Sequence, residues 1–245
     1  YHNTAMLPAW YNSFFENIID KLVLKHAASI VTVSQDCLNS LNHRAAFKNM
    51  SKGVVIYNGI NDPLVNAAFR DNDTQSNYLL MLATYETRKG HAFLLHTFAR
   101  VIKDFPELKL RIFGHGRLRE IKRVEKLVQS LSLQKHVELN VFTSDTATLL
   151  ANAKVLVVPS QEYESFGLTI IEAMAFSTPV VTTDVGGMTE VLAETDAGII
   201  CSKDSIEDFA CALVSILKDP EYADSLGKNG RIAFENRYTA DRMAR

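Results

Sequence analysis

From Tyr78 to Asn236 the chain alternates short runs that are apolar at nearly every position with longer segments that are apolar every third or fourth residue. The first kind, such as Lys154–Val158 (KVLVV), reads as strand covered on both faces, and the second as helix with one buried stripe. The pattern predicts strands at Tyr78–Ala83, Leu108–Phe113, Val137–Leu139, Lys154–Val158, Val180–Thr182 and Gly198–Ile200. It predicts helices at His91–Lys103, Arg117–Leu131, Asp145–Ala151, Leu168–Phe176, Met188–Ala193, Ile206–Lys218 and Glu221–Asn236. Strands alternating with helices imply right-handed β-α-β crossovers and a parallel sheet. The expected fold is therefore α/β with a doubly wound, Rossmann-like sheet, whose ligands bind outside the carboxyl ends of the strands. The loops Thr84–Gly90, Gly114–Arg117, Phe142–Ser144 and Ser160–Gly167 sit at those ends.

Before Tyr78 the pattern is briefer. Trp10–Ala27 has helical spacing, Ser29–Val33 reads as a strand, and Ser34 can cap a helix at Gln35–Leu41. Lys52–Tyr57 reads as another strand, closed by the turn signal Asn58-Gly59. Residues 62–77 are mostly polar and without period, so we read them as a linker between the end of one domain (1–61) and a second domain (78–236). Residues 237–245 read as the start of a helix returning to the first domain. The chain opens on Tyr1, in mid-pattern, and we expect a fragment lacking most of its N-terminal domain. Phe14, Phe15, Ile18 and Leu22 would then form an exposed apolar patch, and residues 1–60 would exchange faster than the rest.

Composition narrows the class. The chain is 47% hydrophobic and 22% charged with a formal net charge of −2. That is ordinary for a globular protein and gives no electrostatic case for nucleic acid. Cys37, Cys201 and Cys211 lack metal-ligand spacing and read as reduced thiols of a cytoplasmic protein. No apolar run reaches the ~20 residues of a membrane span. Arg117–Val128 (RLREIKRVEKLV) could touch acidic lipid headgroups. Glu120 and Glu125 dilute its charge, however, and a solvated face over an apolar stripe is the expected reading.

The chemistry concentrates in Pro159–Glu172, PSQEYESFGLTIIE. Ser165-Phe166-Gly167 turns the chain into a helix starting near Leu168, and amides at a helix start, approached closely at a glycine, favour an anion. That helix is apolar on almost every face yet carries Glu172, and a carboxylate there needs a partner or a ligand. Thr169-Ile-Ile-Glu172 also fits a capping box, which would give Glu172 a purely local role. Arg88, Lys89 and Gly90 at another helix start suit a diphosphate.

Glu164 and Glu172 are separated by seven residues and flank the same glycine turn. With the strand before and Pro179-Val-Val after, this resembles the E-x7-E signature of the GT-B-fold retaining glycosyltransferases, the large group-four family of nucleotide-sugar enzymes. The resemblance covers nearly the whole chain. It implies a nucleotide-sugar donor domain at 78–236, with the tail of a similar acceptor-side domain before it. It assigns Glu172 to the ribose hydroxyls, Glu164 to the transferred sugar, and Lys89 with Arg88 to the departing diphosphate. Phe166, Gly167 and Leu168 belong to the donor site, Gly114 to the strand-end glycine loop near the nucleotide, and Phe142 to the base pocket. His2 matches, by position, a family histidine facing the donor sugar. Thr84 stands where the family usually has an arginine, Thr143 and Ser177 where it usually has glycine; a left-handed Ser177 would cost about 1 kcal/mol.

The resemblance further implies transfer to a glycan or lipid-linked acceptor with retention, peripheral membrane contact at the inner face, and no metal or other cofactor, since the cations and helix amides neutralise the phosphates. A non-catalytic nucleotide-sugar-binding module or partner subunit is the alternative.

Overall fold

A computed structural model describes residues 14–43, 47, 51–64 and 77–244. His2, Trp10, the side chains of Phe14 and Phe15 and the greater part of the 62–77 segment lie outside the described residues. The N-terminal piece comprises α1 (Phe14–His26), β1 (Ile30–Thr32), α2 (Gln35–Asn42) and β2 (Gly53–Val55), with β1 and β2 paired in parallel. Ser34 caps α2 as expected, its side chain accepting from the Cys37 amide at 3.0 Å. The remainder runs β3 (Tyr78–Leu82), α3 (His91–Val101), β4 (Lys109–Phe113), α4 (Leu118–Ser130), β5 (Val137–Asn140), α5 (Thr146–Asn152) and β6 (Val155–Val158). It continues with α6 (Leu168–Ala175), β7 (Val180–Thr183), α7 (Met188–Leu192), β8 (Gly198–Cys201), α8 (Ile206–Lys218), α9 (Pro220–Ala233) and α10 (Ala240–Met243).

The six strands β3–β8 form one parallel sheet in the order β5-β4-β3-β6-β7-β8. Its helices cover both faces because strand side chains alternate. Leu79 and Met81 of β3 enter one core with Leu94 and Phe98 of α3 and Phe209 and Leu213 of α8. Tyr78 and Leu80 enter the other with Ile170, Ile171 and Met174 of α6 and Val191 of α7. The strand order reverses between β3 and β6. The crevice for a ligand therefore opens at the carboxyl ends of those two strands.

Helix bounds follow the hydrophobic pattern to within a few residues, with one difference of kind. The last long helix does not run on regularly to Asn236; α9 ends at Ala233 and Phe234–Tyr238 widens into a π turn. Phe234 and Tyr238 are both fully buried. Tyr238 then leads into Thr239, which bridges to Ile60, while the Ile60 amide donates to the Tyr238 carbonyl at 2.9 Å. Ile18, Ile19 and Leu22 of α1 are 40%, 54% and 52% exposed, in keeping with the apolar patch expected there. Among the described residues no helix is long and apolar enough to cross a membrane.

Candidate functional site

Three loops meet where the strand order reverses. After β3, Thr87–Lys89 forms a single 3-10 turn, and Gly90, at φ 78°, starts α3. The next loop leaves no room for a side chain on Gly90, whose Cβ would lie 1.8 Å from the Pro159 carbonyl oxygen after β6. Only glycine meets both demands, the left-handed backbone and the close approach. The Gln161 amide donates to the Arg88 carbonyl at 2.7 Å, so the two loops are stitched backbone to backbone. Gly114, after β4, does the same for the neighbouring loop, since its Cβ would lie 1.8 Å from the Ala83 carbonyl oxygen. The resemblance puts Gly114 near the nucleotide; what the structure shows directly is a packing requirement between loops.

This stacking brings Lys89 and Glu164 together across 75 residues of sequence, with the Lys89 ammonium donating to Glu164 Oε2. Both side chains are largely buried. Arg88 Nη1 lies 3.8 Å from the same oxygen, and its Nε donates to Glu86 at 2.7 Å. Thr84, in the place of the family's arginine, donates from its hydroxyl to Glu86 at 2.8 Å. Burial alone would push the Glu86 carboxyl up, but the hydrogen bonds from Thr84 and Arg88 hold it below its ordinary value. The turn thus presents Lys89 toward the crevice with Arg88 beside it, Lys89 held by Glu164 and Arg88 by Glu86.

Beyond Glu164 the chain turns at Gly167 (φ 91°, ψ 64°) into α6, and no side chain caps that helix. The Ile170 amide donates to the Gly167 carbonyl at 3.0 Å, and those of Leu168 and Thr169 remain open to a ligand. Because Gly167 is the cap, Thr169 is already inside the helix and the Thr169–Glu172 capping box does not form. Glu172 is half-buried, makes no side-chain hydrogen bond or ion pair among the described residues, and its carboxyl is pushed up by burial. A half-buried carboxylate without a partner is costly to keep unless a ligand supplies the donors.

A cavity of about 450 Å³ opens here, lined by Lys89, Glu164, Phe166, Gly167 and Leu168 among the expected residues. Arg88, Gly114, Phe142 and Glu172 do not line it. Phe142 is 58% exposed and stacks on the equally open His115 (centroids 4.7 Å apart, planes at 12°) at the ends of β4 and β5. The cavity wall also contains Ser160, Val33 and Asn58, which the sequence does not single out. Ser160 Oγ is buried and has no hydrogen-bond partner among the described residues. Asn58 is visible as a turn residue, but nothing local to it announces a cavity built from loops so much further along the chain.

The N-terminal piece is fastened to this loop. Ser34 Oγ donates to the Ser165 carbonyl at 2.7 Å, and the Gly187 amide donates to the Glu164 carbonyl at 2.8 Å. The carboxylate of Glu190, on α7, accepts from the amides of Gln35 (2.7 Å) and Asp36 (2.5 Å) at the start of α2, and from the Tyr57 hydroxyl at 3.2 Å. A carboxylate at a helix N-terminus is favoured by both hydrogen bonding and the helix dipole. Tyr57 and Tyr238 both pack near the Phe166 ring, with centroids 6.1 and 6.0 Å away.

Comparison with known proteins agrees with this geometry. Residues 66–233 match the family model described as glycosyl transferases group 1. An uncharacterized glycosyltransferase of Methanocaldococcus jannaschii is 29% identical over 222 residues, covering 90% of this chain and 58% of its own. A phosphatidyl-myo-inositol mannosyltransferase of Mycolicibacterium smegmatis is 32% identical over 172 residues, covering 69% of this chain and 42% of its own. This chain thus spans about half the length of the curated relatives it matches. Among solved structures, Anabaena HepE in complex with UDP aligns with a TM-score of 0.86 over 97% of this chain and 67% of its own, at 19% identity. Sucrose-phosphate synthase from Thermosynechococcus elongatus aligns with a TM-score of 0.80 over 98% of this chain and 61% of its own, at 26% identity. The fold is the GT-B type expected from the sequence, and by a family match over most of its length the chain belongs to the glycosyl transferases group 1 family.

Proposed function

We propose that the cleft holds the diphosphate and sugar of a nucleotide sugar, and that the protein built around it transfers that sugar, with retention of configuration, to a glycan or lipid-linked acceptor. The observation that carries this reading is the meeting of Lys89 and Glu164 in a cavity beside the uncapped start of α6. A diphosphate arriving at those amides competes with Glu164 for Lys89. Once Lys89 turns to the phosphates, Glu164 is free to accept hydrogen bonds from sugar hydroxyls. Lys89 and Arg88 then stabilise charge on the departing diphosphate, the kind of electrostatic contribution that dominates many enzymic rates. Glu172 is assigned to the ribose hydroxyls, which would supply the donors it lacks. Gly114 and Phe142 remain assigned to the nucleotide end of the site, and His2 to the sugar from the opposite wall. Lys89, Arg88 and the helix amides do the neutralising in this scheme, so no metal is required. Three free thiols support a cytoplasmic setting, at the inner membrane face where the acceptor is lipid-linked.

Because UDP is the nucleotide bound by HepE, it is the first probe. Calorimetry with UDP and UDP-glucose, with a chelator present, should show binding, and Lys89→Ala should weaken both ligands by ~10-fold or more, as for a charged hydrogen bond. Absence of nucleotide binding across a panel of bases would overturn the reading, and loss of binding on chelation would overturn its metal-free form. Retention is read from the anomeric configuration of the product by NMR; an inverted product sinks it. The alternative, a binding module without turnover, is favoured by Thr84, which is engaged with Glu86 and contributes no cation. Nucleotide binding without transfer to any acceptor would select it.

A further inference from the structure

Glu190 stands on α7 and does not line the cavity, yet both its carboxylate oxygens are engaged. Oε1 accepts from the Asp36 amide, and Oε2 from the Gln35 amide and the Tyr57 hydroxyl. All three donors belong to the N-terminal piece. A carboxylate with an oxygen on each of two amides at a helix start holds that helix in direction as well as in place. The next amide of α2, that of Cys37, is taken by Ser34 Oγ. The same Ser34 hydroxyl donates to the Ser165 carbonyl. From the other side, Gly187, just before α7, donates its amide to the Glu164 carbonyl. A Cβ on Gly187 would lie 2.2 Å from the Ser165 carbonyl oxygen and 2.7 Å from Ser34 Oγ. The contacts therefore close into a ring that runs from Glu164 and Ser165 through Gly187, Glu190, the start of α2 and Ser34, and back to Ser165.

A closed ring fixes what an open string of contacts leaves free to swing. The backbone at Glu164 and Ser165 is gripped from α2 on one side and from the start of α7 on the other, and Glu190 joins the two grips. The side chains that leave this backbone are those of the cleft. Glu164 meets Lys89 there, and Phe166 lines the same cavity with the Tyr57 ring 6.1 Å from its own. We infer that Glu190 is a positioning residue, which stays out of the cleft and fixes the loop from which Glu164 and Phe166 enter it. Its expected effect on ligands rests on the assignment of Glu164 to the transferred sugar; its effect on the loop does not. The molecule carries its own contrast in Asp62 and Arg231, a tie between the same two units. The hydrogen bonds of that pair go to each other, to Leu64, to Glu235 and to Ala175, and none reaches the Ser160–Gly167 loop.

The test is calorimetry of the full chain with UDP and UDP-glucose, beside NMR hydrogen exchange at the Gly187 amide. Glu190→Gln keeps the shape of the side chain but turns an NH2 donor onto one of the backbone donors, so that hydrogen bond is lost. It should weaken UDP-glucose about tenfold and UDP no more than about twofold, and Gly187 should exchange about tenfold faster. Asp62→Asn loosens the same two units elsewhere and should leave the ratio of the two affinities and the Gly187 rate within about twofold of the native values. Ser34→Ala opens the ring at another point and should repeat the selective loss. The double variant should lose little more than either single one, because a ring already open is not opened again. Ser34→Ala also carries the test if Glu190→Gln does not fold. Equal weakening of both ligands by Glu190→Gln, an unchanged Gly187 rate, or the same selective loss from Asp62→Asn overturns the proposal. A native chain that binds neither ligand bears on the donor and not on Glu190, and the Gly187 rates then decide the matter alone.

Discussion

The two sheets of this molecule pair their strands alike and differ in what covers them. In the large sheet every residue of β7 is buried, and β6 is buried at Val155, Leu156 and Val157. In the small one, Val31 of β1 is 55% exposed and Val54 of β2 is 44% exposed. At roughly 25 cal/mol per Å² of apolar surface, the first arrangement supplies its own stability and the second does not. Apolar packing of Val33, Tyr57 and Ile60 and a set of polar stitches join the small sheet to the large unit: Glu190 at the start of α2, Ser34 on Ser165, Ile60 beside Thr239, and Asp62 on Arg231. The Ser34 stitch reaches the loop that carries Glu164, so the weaker region is tied down at the place where a ligand would be held.

The broadest way to break this comparison is hydrogen exchange. Amides of β6 and β7 should exchange only through global opening, and those of β1 and β2 at least about a thousandfold faster. Equal protection of Val54 and Val157 would mean that the small sheet is stabilised by something other than its contacts with the large one.

Next in size is the tie at Arg231, whose guanidinium donates to both Asp62 oxygens (2.9 and 2.5 Å) and to the Ala175 carbonyl at 2.8 Å, at the end of α6. Arg231→Ala should cost about 1–3 kcal/mol, below the figure for a fully buried pair because both side chains keep some solvent. The hydrogen bond from Arg231 holds the Asp62 carboxyl below its ordinary value. Its stabilisation is therefore complete above the unfolded value of 3.8 and is lost as pH falls below it. Acid titrations of the melting temperature should show a shallower loss for Asp62→Asn than for the native protein. A parallel pair of curves would mean that the tie is not felt in stability.

Glu172 sharpens the comparison from the ligand side. Burial raises its carboxyl above the usual 4.5, so the fold favours its neutral form. The native protein is then most stabilised by this group below 4.5 and loses that contribution as pH rises through the folded value. Glu172→Gln should accordingly melt higher than the native protein at neutral pH, the gap closing as the acid limb is approached, while binding a nucleoside diphosphate ~10–100-fold more weakly. Glu164→Gln should spare the nucleoside diphosphate and weaken the full sugar nucleotide. A Glu172→Gln protein that melts lower at neutral pH and binds nucleotide normally would return this residue to a structural role.

The smallest effect belongs to Ser177, which sits at φ 57° just after α6. Ser177→Gly should stabilise by about 1 kcal/mol, or roughly 2–4 °C in a chain of this length. No gain would show that hydrogen bonds or packing at this position repay the strain.

Much of the large unit is legible in the sequence because its strands announce themselves locally. Val155–Val158 and Val180–Thr183 are apolar or β-branched at each position and end at proline or a polar loop, and both helix starts in the cleft carry a glycine. What stays illegible is whatever depends on distant segments meeting. The family resemblance assigns Lys89 to phosphate and Glu164 to sugar, but only the parallel topology joins them to each other. Glu190 gives no local hint of its role, since its partners are the amides of Gln35 and Asp36, far earlier in the chain. The π turn at Phe234–Tyr238 escapes for another reason: Phe234 and Tyr238 stand four apart, a spacing that a regular α-helix would also bury on one face.

The backbone contacts made by Gly90 and Gly114 carry a consequence for anyone wishing to redesign the cleft. Each glycine brings one loop against the carbonyl of another, so the loops after β3, β4 and β6 are shingled rather than free-standing. Lengthening any one of them would prise its neighbour loose, and the displacement would propagate across the mouth. If the cleft binds a sugar donor as proposed, altered preference should therefore be sought by exchanging side chains that line the cavity, such as Ser160, Phe166 or Asn58, at constant loop length. Grafted loops of a different length, a common shortcut in enzyme engineering, are the strategy this scaffold is least suited to accept.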